Sequence, residues 1–125
     1  METDNKKIIL VVDDSSSNLQ LCKGLLSDEY DVRLAKSGKM ALAALARIRP
    51  DIILLDIEMP DMTGFEVMDE LQKDEGLRLV PVIFVTSHAS EELVGKAVGL
   101  GAADYVVKPF SPDVLRAKLR SALTQ

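Results

Sequence analysis

The chain has 125 residues, 47% of them hydrophobic and 28% charged, with a formal net charge of −5. These values are typical of one globular domain with a sizeable core, and the acidic balance argues against binding to nucleic acid by itself. No apolar run approaches the roughly 18 to 20 residues of a membrane helix, and the N-terminal METDNKK is too polar for a signal sequence, so we expect a cytoplasmic protein without membrane contact.

Five short segments predict β-strands. Four are rich in Val and Ile and predict strands buried on both faces, at residues 8–12, 52–55, 80–85 and 105–107. The segment YDVRLA, residues 30–35, alternates apolar and charged residues instead and predicts an edge strand.

Five helical patterns lie between or after these strands. Three carry apolar stripes with i, i+3, i+4, i+7 spacing: Asn18, Leu21, Cys22 and Leu25; Ala41, Ala44, Leu45 and Ile48; Gly64, Val67, Met68 and Leu71. The fourth, residues 91–100, is weaker and ends at Gly101, while the fifth begins with Ser111 as N-cap and Pro112 in the first turn. Cys22, the single cysteine, is interpreted as core filling.

Strands that alternate with helices through short connections predict a doubly wound α/β fold, with five parallel strands and helices on both faces. No linker or repeat divides the chain. We therefore expect a single domain over residues 5–124, with no output domain present.

Polar side chains follow four of the strands: Asp13 and Asp14, then Asp56, Thr86 and Lys108. In open parallel sheets, active groups lie beyond the carboxyl ends of the strands, where the strand order reverses. An order of 2-1-3-4-5 would bring the three aspartates together there. Three such carboxylates repel one another by roughly 1 to 4 kcal/mol per pair at about 4 Å, so they require a cation.

An all-oxygen cluster without His or Cys favours a hard divalent ion, and Mg²⁺ is the best candidate. Carboxylates, Mg²⁺, a lysine and a hydroxyl at one edge are the groups that phosphoryl transfer uses, with one carboxylate attacking phosphorus to form an acyl phosphate. Taken alone, Asp13 and Asp14 could simply cap the next helix, and Asp56 could simply end a strand.

Four motifs together resemble the receiver domains of two-component response regulators. They are VVDD at the first strand, LLDIEMPDMTG at the third, VTS at the fourth and DYVVKPF at the fifth, and they cover nearly the whole chain. The resemblance implies the flavodoxin-like fold with strand order 2-1-3-4-5. It also implies that Asp56 accepts a phosphoryl group from a phosphohistidine donor, in a signalling domain that catalyses only its own phosphorylation and dephosphorylation.

The resemblance further implies how the acidic residues share the metal. Asp14 and Asp56 would ligate Mg²⁺ directly, together with the main-chain carbonyl of Glu58, while Asp13 would act mainly through water. Lys108 would pair with the carboxylate and then with the phosphoryl oxygens.

Thr86 and Tyr105 are the switch residues that the resemblance implies. Thr86 would move to bond the phosphate and Tyr105 would follow it inward, which rebuilds the surface of the fourth helix, fifth strand and fifth helix. The peptide bond between Lys108 and Pro109 would be cis. Without the family, Thr86 and Tyr105 are ordinary strand residues.

Glu58 and His88 each lie two residues beyond a site residue, at positions that tune phosphoryl lifetime in receivers. A carboxylate with an imidazole there is unusual, so we expect an atypical lifetime. His88 could instead be a phosphate carrier or metal ligand, but a solvated loop residue is the favoured interpretation.

The expected partners are a sensor histidine kinase or a histidine phosphotransfer protein, and a downstream protein target or a fused output domain. A homodimer through the fourth and fifth helices stays open. Two alternatives remain: a phosphatase of the haloacid dehalogenase kind, whose Asp-x-Asp motif LLDIE approaches, and a flavodoxin-like cofactor binder, which should carry a Ser/Thr/Gly phosphate loop and aromatic residues around the flavin.

Overall fold

The computed structural model describes residues 6–124, so residue 5, the first of the expected domain, lies outside the described residues. Strands and helices alternate in the order β1 (Lys7–Val12), α1 (Ser16–Leu26), β2 (Tyr30–Ala35), α2 (Gly38–Leu45), β3 (Ile52–Asp56), α3 (Gly64–Gln72), β4 (Val82–Thr86), α4 (Glu91–Gly99), β5 (Asp104–Val107) and α5 (Pro112–Leu123). A short 3₁₀ helix, Leu77–Leu79, precedes β4.

All strand pairs are parallel, and the sheet order is β2-β1-β3-β4-β5, as expected from the family resemblance. In register, Val12 of β1 is opposite Leu55 of β3, and Asp56 is opposite Val85 of β4. The strands therefore end at nearly the same level, and the order reverses between β1 and β3. This reversal opens a crevice at their carboxyl ends.

Alternate residues of the strands enter two separate cores. On one face, residues such as Leu10, Leu55 and Phe84 pack with α2, α3 and α4, whereas on the other face Ile9, Leu54 and Ile83 pack with α1 and α5. The fully buried central strands hold the crevice in a fixed position, since core side chains pack as tightly as organic crystals.

The inward face of α1 differs from the predicted stripe. Leu19, Cys22 and Leu26 are buried, but Leu21 is 52% exposed, so its predicted inward position was wrong. Leu21 lies two residues from Leu19, which is about 200° around the helix and on the opposite side. Cys22 is buried and free, which confirms its role as core filling, and burial, with the charge of Asp13, raises its pKa to about 11.

Two predicted strands also needed correction. β4 begins at Val82 rather than at residue 80, because Pro81 has no N–H to donate and only its carbonyl joins the sheet, accepting from Ile53 at 3.0 Å. β5 is not buried on both faces: it pairs only with β4, and among its residues only Val106 is buried. The predicted edge position of β2 is confirmed.

Polar side chains begin the α-helices as predicted for the fifth. Each helix has an N-cap hydroxyl that accepts a backbone N–H from its first turn, supplied in order by Ser15, Ser37, Thr63, Ser90 and Ser111. Gly101 follows α4, which confirms the predicted end of this helix, and its φ of +91° is a left-handed conformation that glycine adopts readily. In the described part of the chain, no helix combines the length and the apolar character needed to cross a membrane.

Candidate functional site

Three carboxylates meet at the carboxyl ends of β1 and β3. One oxygen each from Asp13, Asp14 and Asp56 lies within 4.8 Å of the others. Asp13 is 5% and Asp56 is 3% exposed, whereas Asp14 is open to solvent. The cluster therefore has two buried members and one accessible member.

Lys108 is the counter-ion of the buried pair. It follows β5, and its Nζ lies 2.9 Å from Asp13 Oδ2 and 3.2 Å from Asp56 Oδ2. Its backbone N–H also donates to the carbonyl of Thr86 at 2.8 Å, and its peptide bond to Pro109 is cis, as expected. Burial opposes the charge of the ammonium, but hydrogen bonds and charges from Asp13 and Asp56 raise the pKa of Lys108 overall.

Asp56 carries a perturbed carboxyl group. Burial, reinforced by the negative charge of Asp13, raises its pKa to about 6, against the opposing effects of Lys108 and of the Glu58 N–H, which donates to Asp56 Oδ1 at 3.2 Å. One ammonium thus leaves excess negative charge in the crevice. The candidate metal-ligand atoms are all carboxylate oxygens, which fit a hard cation such as Mg²⁺.

Asp13 has further partners that the sequence did not reveal. The backbone N–H of Ser15 donates to its Oδ1 at 2.9 Å, and Asn18 Nδ2 donates to its Oδ2 at 3.3 Å. The sequence interpretation counts Asn18 as part of an inward helix stripe, and an amide on that face, four residues after Asp14, is the signal that could indicate this contact. Both oxygens of Asp13 are occupied within the protein.

The loop after β3 folds back tightly on the strand. Gly64 donates its N–H to the carbonyl of Ile57 at 2.8 Å, and a Cβ at Gly64 would lie 2.5 Å from the Asp56 carbonyl oxygen. Only glycine fits this position. The loop keeps the main chain of Glu58 beside Asp56 while its side chain remains exposed.

Thr86 lies on the same edge of the sheet and is fully buried. Its hydroxyl donates to the carbonyl of His88 at 3.0 Å and accepts the His88 N–H at 3.1 Å. The hydroxyl is thus held by the β4–α4 loop, while the side chain of His88 is exposed, as expected for a solvated loop residue.

Tyr105 lies one strand further along and is partly buried against the core. Lys118 of α5 lies 5.0 Å from the centre of its ring and donates to its carbonyl at 2.7 Å and to Asp104 at 3.0 Å. Tyr105 is therefore fastened to α5 rather than to the acidic crevice.

Comparison with known proteins supports the family assignment. The response regulator receiver domain family matches residues 9–120. A probable cyclic di-GMP phosphodiesterase of Vibrio cholerae is 38% identical over 98% of this chain and 28% of its own length. The DNA-binding response regulator MtrA of Mycolicibacterium smegmatis is also 38% identical, over 98% of this chain and 53% of its own length.

Solved structures agree with these matches. The chemotaxis protein CheY4 of Vibrio cholerae superimposes with a TM-score of 0.90 and 34% identity, covering 94% of this chain and 99% of that one. The chain spans about half or less of the curated relatives described above, but nearly the whole of this structure. The chain belongs to the response regulator receiver domain family, the phosphorylation-activated signalling domains of two-component systems.

Proposed function

We propose that Asp56 is the phosphoacceptor of this receiver domain. A carboxylate oxygen of Asp56 attacks the phosphorus of a phosphohistidine, the P–N bond breaks as the P–O bond forms, and the imidazole leaves and takes up a proton. The observation that supports this role is the convergence of Asp13, Asp14 and Lys108 around the buried Asp56 carboxylate. Beyond this reaction and the hydrolysis of the resulting aspartyl phosphate to aspartate and inorganic phosphate, we propose no catalytic activity.

The acidic cluster is the proposed magnesium site. Receiver domains generally bind Mg²⁺ at an acidic pocket, and Asp14, Asp56 and the main-chain carbonyl of Glu58 would hold it here, with Asp13 acting through water. The preference for Asp14 over Asp13 as a direct ligand is supported by the exposure of Asp14 and by the protein contacts that occupy both oxygens of Asp13. When bound, Mg²⁺ supplies neutralisation of phosphoryl and carboxylate charge.

Lys108 is proposed to hold the reacting groups in position. Its ammonium already contacts Asp56, so it can follow the carboxylate oxygens to the phosphoryl oxygens without a large movement. Asp13 keeps Lys108 pointed into the crevice throughout. Such fixed charges stabilise the transferring group without reorganisation during the reaction.

Thr86 and Tyr105 are proposed to report the phosphate to the rest of the domain. A phosphoryl group on Asp56 offers strong acceptors to the Thr86 hydroxyl, which would give up its bonds to His88. Tyr105 would then move inward, and the surface of α4, β5 and α5 would change. Two packings whose balance is shifted by new charge-assisted bonds explain such a switch.

Glu58 and His88 are proposed to set the lifetime of the phosphoryl group. Both side chains are exposed at the edge of the crevice, two residues beyond Asp56 and Thr86. Exchange of either for alanine should change the rate of dephosphorylation.

A sensor histidine kinase or phosphotransfer protein is the proposed phosphodonor. A downstream protein or a fused output domain is the proposed target that responds to the phosphorylated domain. Relatives include a DNA-binding regulator, but the net charge of −5 supports a domain that does not bind nucleic acid by itself. We propose a cytoplasmic location, where such kinases deliver their phosphoryl groups, and α4 and α5 as the surface of any homodimer. The phosphatase alternative finds no support, since the family match and strand order are those of a receiver.

The test uses acetyl phosphate as donor in the presence of Mg²⁺, with intact-protein mass spectrometry as the readout. The parent chain should gain one phosphoryl group, and Asp56→Asn should gain none because the amide is a poor nucleophile. Asp51→Asn, a carboxylate at the other end of the sheet that accepts the Ile8 N–H, serves as the control and should be phosphorylated normally. Equal phosphorylation of Asp56→Asn and the parent would overturn the assignment.

A further inference from the structure

Asp61 lies in the loop that follows Asp56, and its carboxylate binds a helix that takes no part in the site described above. Its Oδ1 accepts the backbone N–H of Gly38 at 3.2 Å, and its Oδ2 accepts that of Lys39 at 2.9 Å. Gly38 and Lys39 are the first two residues of α2. One exposed side chain thus joins the site loop to the N-terminus of α2.

The first turn of α2 uses this side chain for its hydrogen bonds. N–H groups at the start of a helix have no carbonyl partner within the helix. The N-cap Ser37 accepts the N–H of Met40 at 3.1 Å, and Asp61 accepts the two N–H groups before it. The negative charge is also favourable at this end of the helix dipole.

The loop after β3 packs tightly against the start of α2. A Cβ at the buried Gly38 would lie 2.9 Å from Met62 Cβ and 3.0 Å from Val67 Cγ2. The main chain of α2 therefore contacts both the loop and the first turns of α3. A displacement of the loop would disturb this packing and the Asp61 hydrogen bonds together.

We propose that Asp61 is a positioning residue for the cation site, and that it holds the main-chain carbonyl of Glu58 where it can bind Mg²⁺ beside Asp56. This inference rests on the magnesium site proposed above. The segment between Asp56 and α3 is fastened at one end by the Glu58 N–H, which donates to Asp56, and further on by Asp61. Without the second contact, Mg²⁺ binding must order a freer segment, and its affinity falls.

The experiment compares the parent chain with Asp61→Ala, Asp61→Asn and a matched control, Asp74→Ala. Asp74 is also an exposed carboxylate that accepts two backbone N–H groups, from Gly76 at 2.8 Å and Leu77 at 3.0 Å, but it lies before β4, at the amino ends of the strands and away from the site. Mg²⁺ affinity is measured by calorimetry. Amide hydrogen exchange at Gly38 and Lys39 is measured by NMR without metal.

Asp61→Ala should weaken Mg²⁺ binding about tenfold and speed exchange at both amides, while saturating Mg²⁺ restores phosphorylation by acetyl phosphate. Asp61→Asn keeps one acceptor oxygen and should lie between Asp61→Ala and the parent. Asp74→Ala should leave Mg²⁺ affinity unchanged. The melting temperature of Asp74→Ala is measured as well. A lower melting temperature with unchanged Mg²⁺ affinity would show that a loss of stability alone does not weaken binding.

Two results would overturn the inference while leaving the magnesium site intact. One is a parent-like Mg²⁺ affinity in a folded Asp61→Ala, and the other is an equal loss of affinity in Asp74→Ala. A parent chain that binds no Mg²⁺ would instead overturn the magnesium site, and this inference with it.

Discussion

At the scale of single residues, the site concentrates the buried carboxylates found among residues 6–124. Asp13 and Asp56 lie at the ends of the central strands β1 and β3, with Lys108 beside them after β5, and burial with the neighbouring carboxylate raises the pKa of Asp56 to about 6. Burying a charge is unfavourable unless it is paired, and one lysine serves two carboxylates here. Lys108 therefore neutralises only part of the negative charge in the crevice.

The raised pKa predicts a pH-dependent gain of stability for Asp56→Asn in metal-free buffer. The folded state disfavours the ionised form of Asp56. The neutral carboxyl group therefore makes its full contribution to the stability of the fold below its ordinary pKa of 3.8, and this contribution is lost as the pH rises through about 6. Asp56→Asn should thus be more stable than the parent at pH 7 to 8, by on the order of 2 kcal/mol. Towards pH 4 the difference should vanish.

Thermal melts of both proteins across this pH range, with a chelator present, measure the difference. Asp69→Asn, which removes an exposed carboxylate of α3, is the control for the loss of a carboxylate outside the site. A constant difference between Asp56→Asn and the parent from pH 4 to pH 8 would contradict the expectation.

At the scale of elements, turns and caps place the site residues more than the helices do. The start of α5 was predictable because Ser111 and Pro112 form a local signal. The contact of Asp61 with α2 was not, since it joins residues more than twenty positions apart whose proximity depends on the packing of two helices. Leu21 was misplaced because two overlapping apolar stripes fit the sequence of α1, and only the position of the sheet decides between them.

Gly64→Ala should damage both the fold and the site. The added Cβ would meet the main-chain oxygen of Asp56, which no side-chain rotation can relieve. We expect a loss of about 2 to 4 kcal/mol in the free energy of unfolding, measured by urea titration, with weaker Mg²⁺ binding.

Gly24→Ala is the matched control for this change. Gly24 lies on α1, and a Cβ there would meet nothing within 4 Å. Because alanine favours helix, this variant should be more stable than the parent by up to about 1 kcal/mol. A Gly64→Ala protein as stable as the parent would show that the loop can move away from β3.

At the scale of the whole molecule, the site exists only because the strand order brings distant residues together. The alternation of strands and helices predicted the parallel sheet, and the confirmed order came from the family resemblance rather than from spacing. The position of each polar site residue just beyond its own strand could be read directly from the sequence. The hydrogen bonds between Thr86 and His88 could not, because they depend on side-chain directions that only the assembled crevice defines.

This assembly predicts that Mg²⁺ stabilises the folded chain and that its removal by a chelator lowers the melting temperature. A ligand that binds only the folded state adds about 2.7 kcal/mol of stability at a hundredfold excess over its Kd. The rise in melting temperature on adding Mg²⁺ should be abolished in Asp14→Ala. It should be reduced less in Asp13→Ala, because the carboxylate of Asp13 already contacts Lys108 and Asn18. Equal losses would show that the two aspartates share the metal evenly.

The two edge strands of the sheet also have a consequence for how copies of this chain meet one another. β2 carries Asp31 and Arg33 as a pair, with Arg33 Nε 2.9 Å from Asp31, and β5 begins at Asp104, which is paired with Lys118 at 3.0 Å. Charged side chains on edge strands oppose the addition of another strand, because pairing would desolvate them. Both open sides of the sheet are thus protected against edge-to-edge aggregation, and the homodimer proposed above would form through helical faces instead.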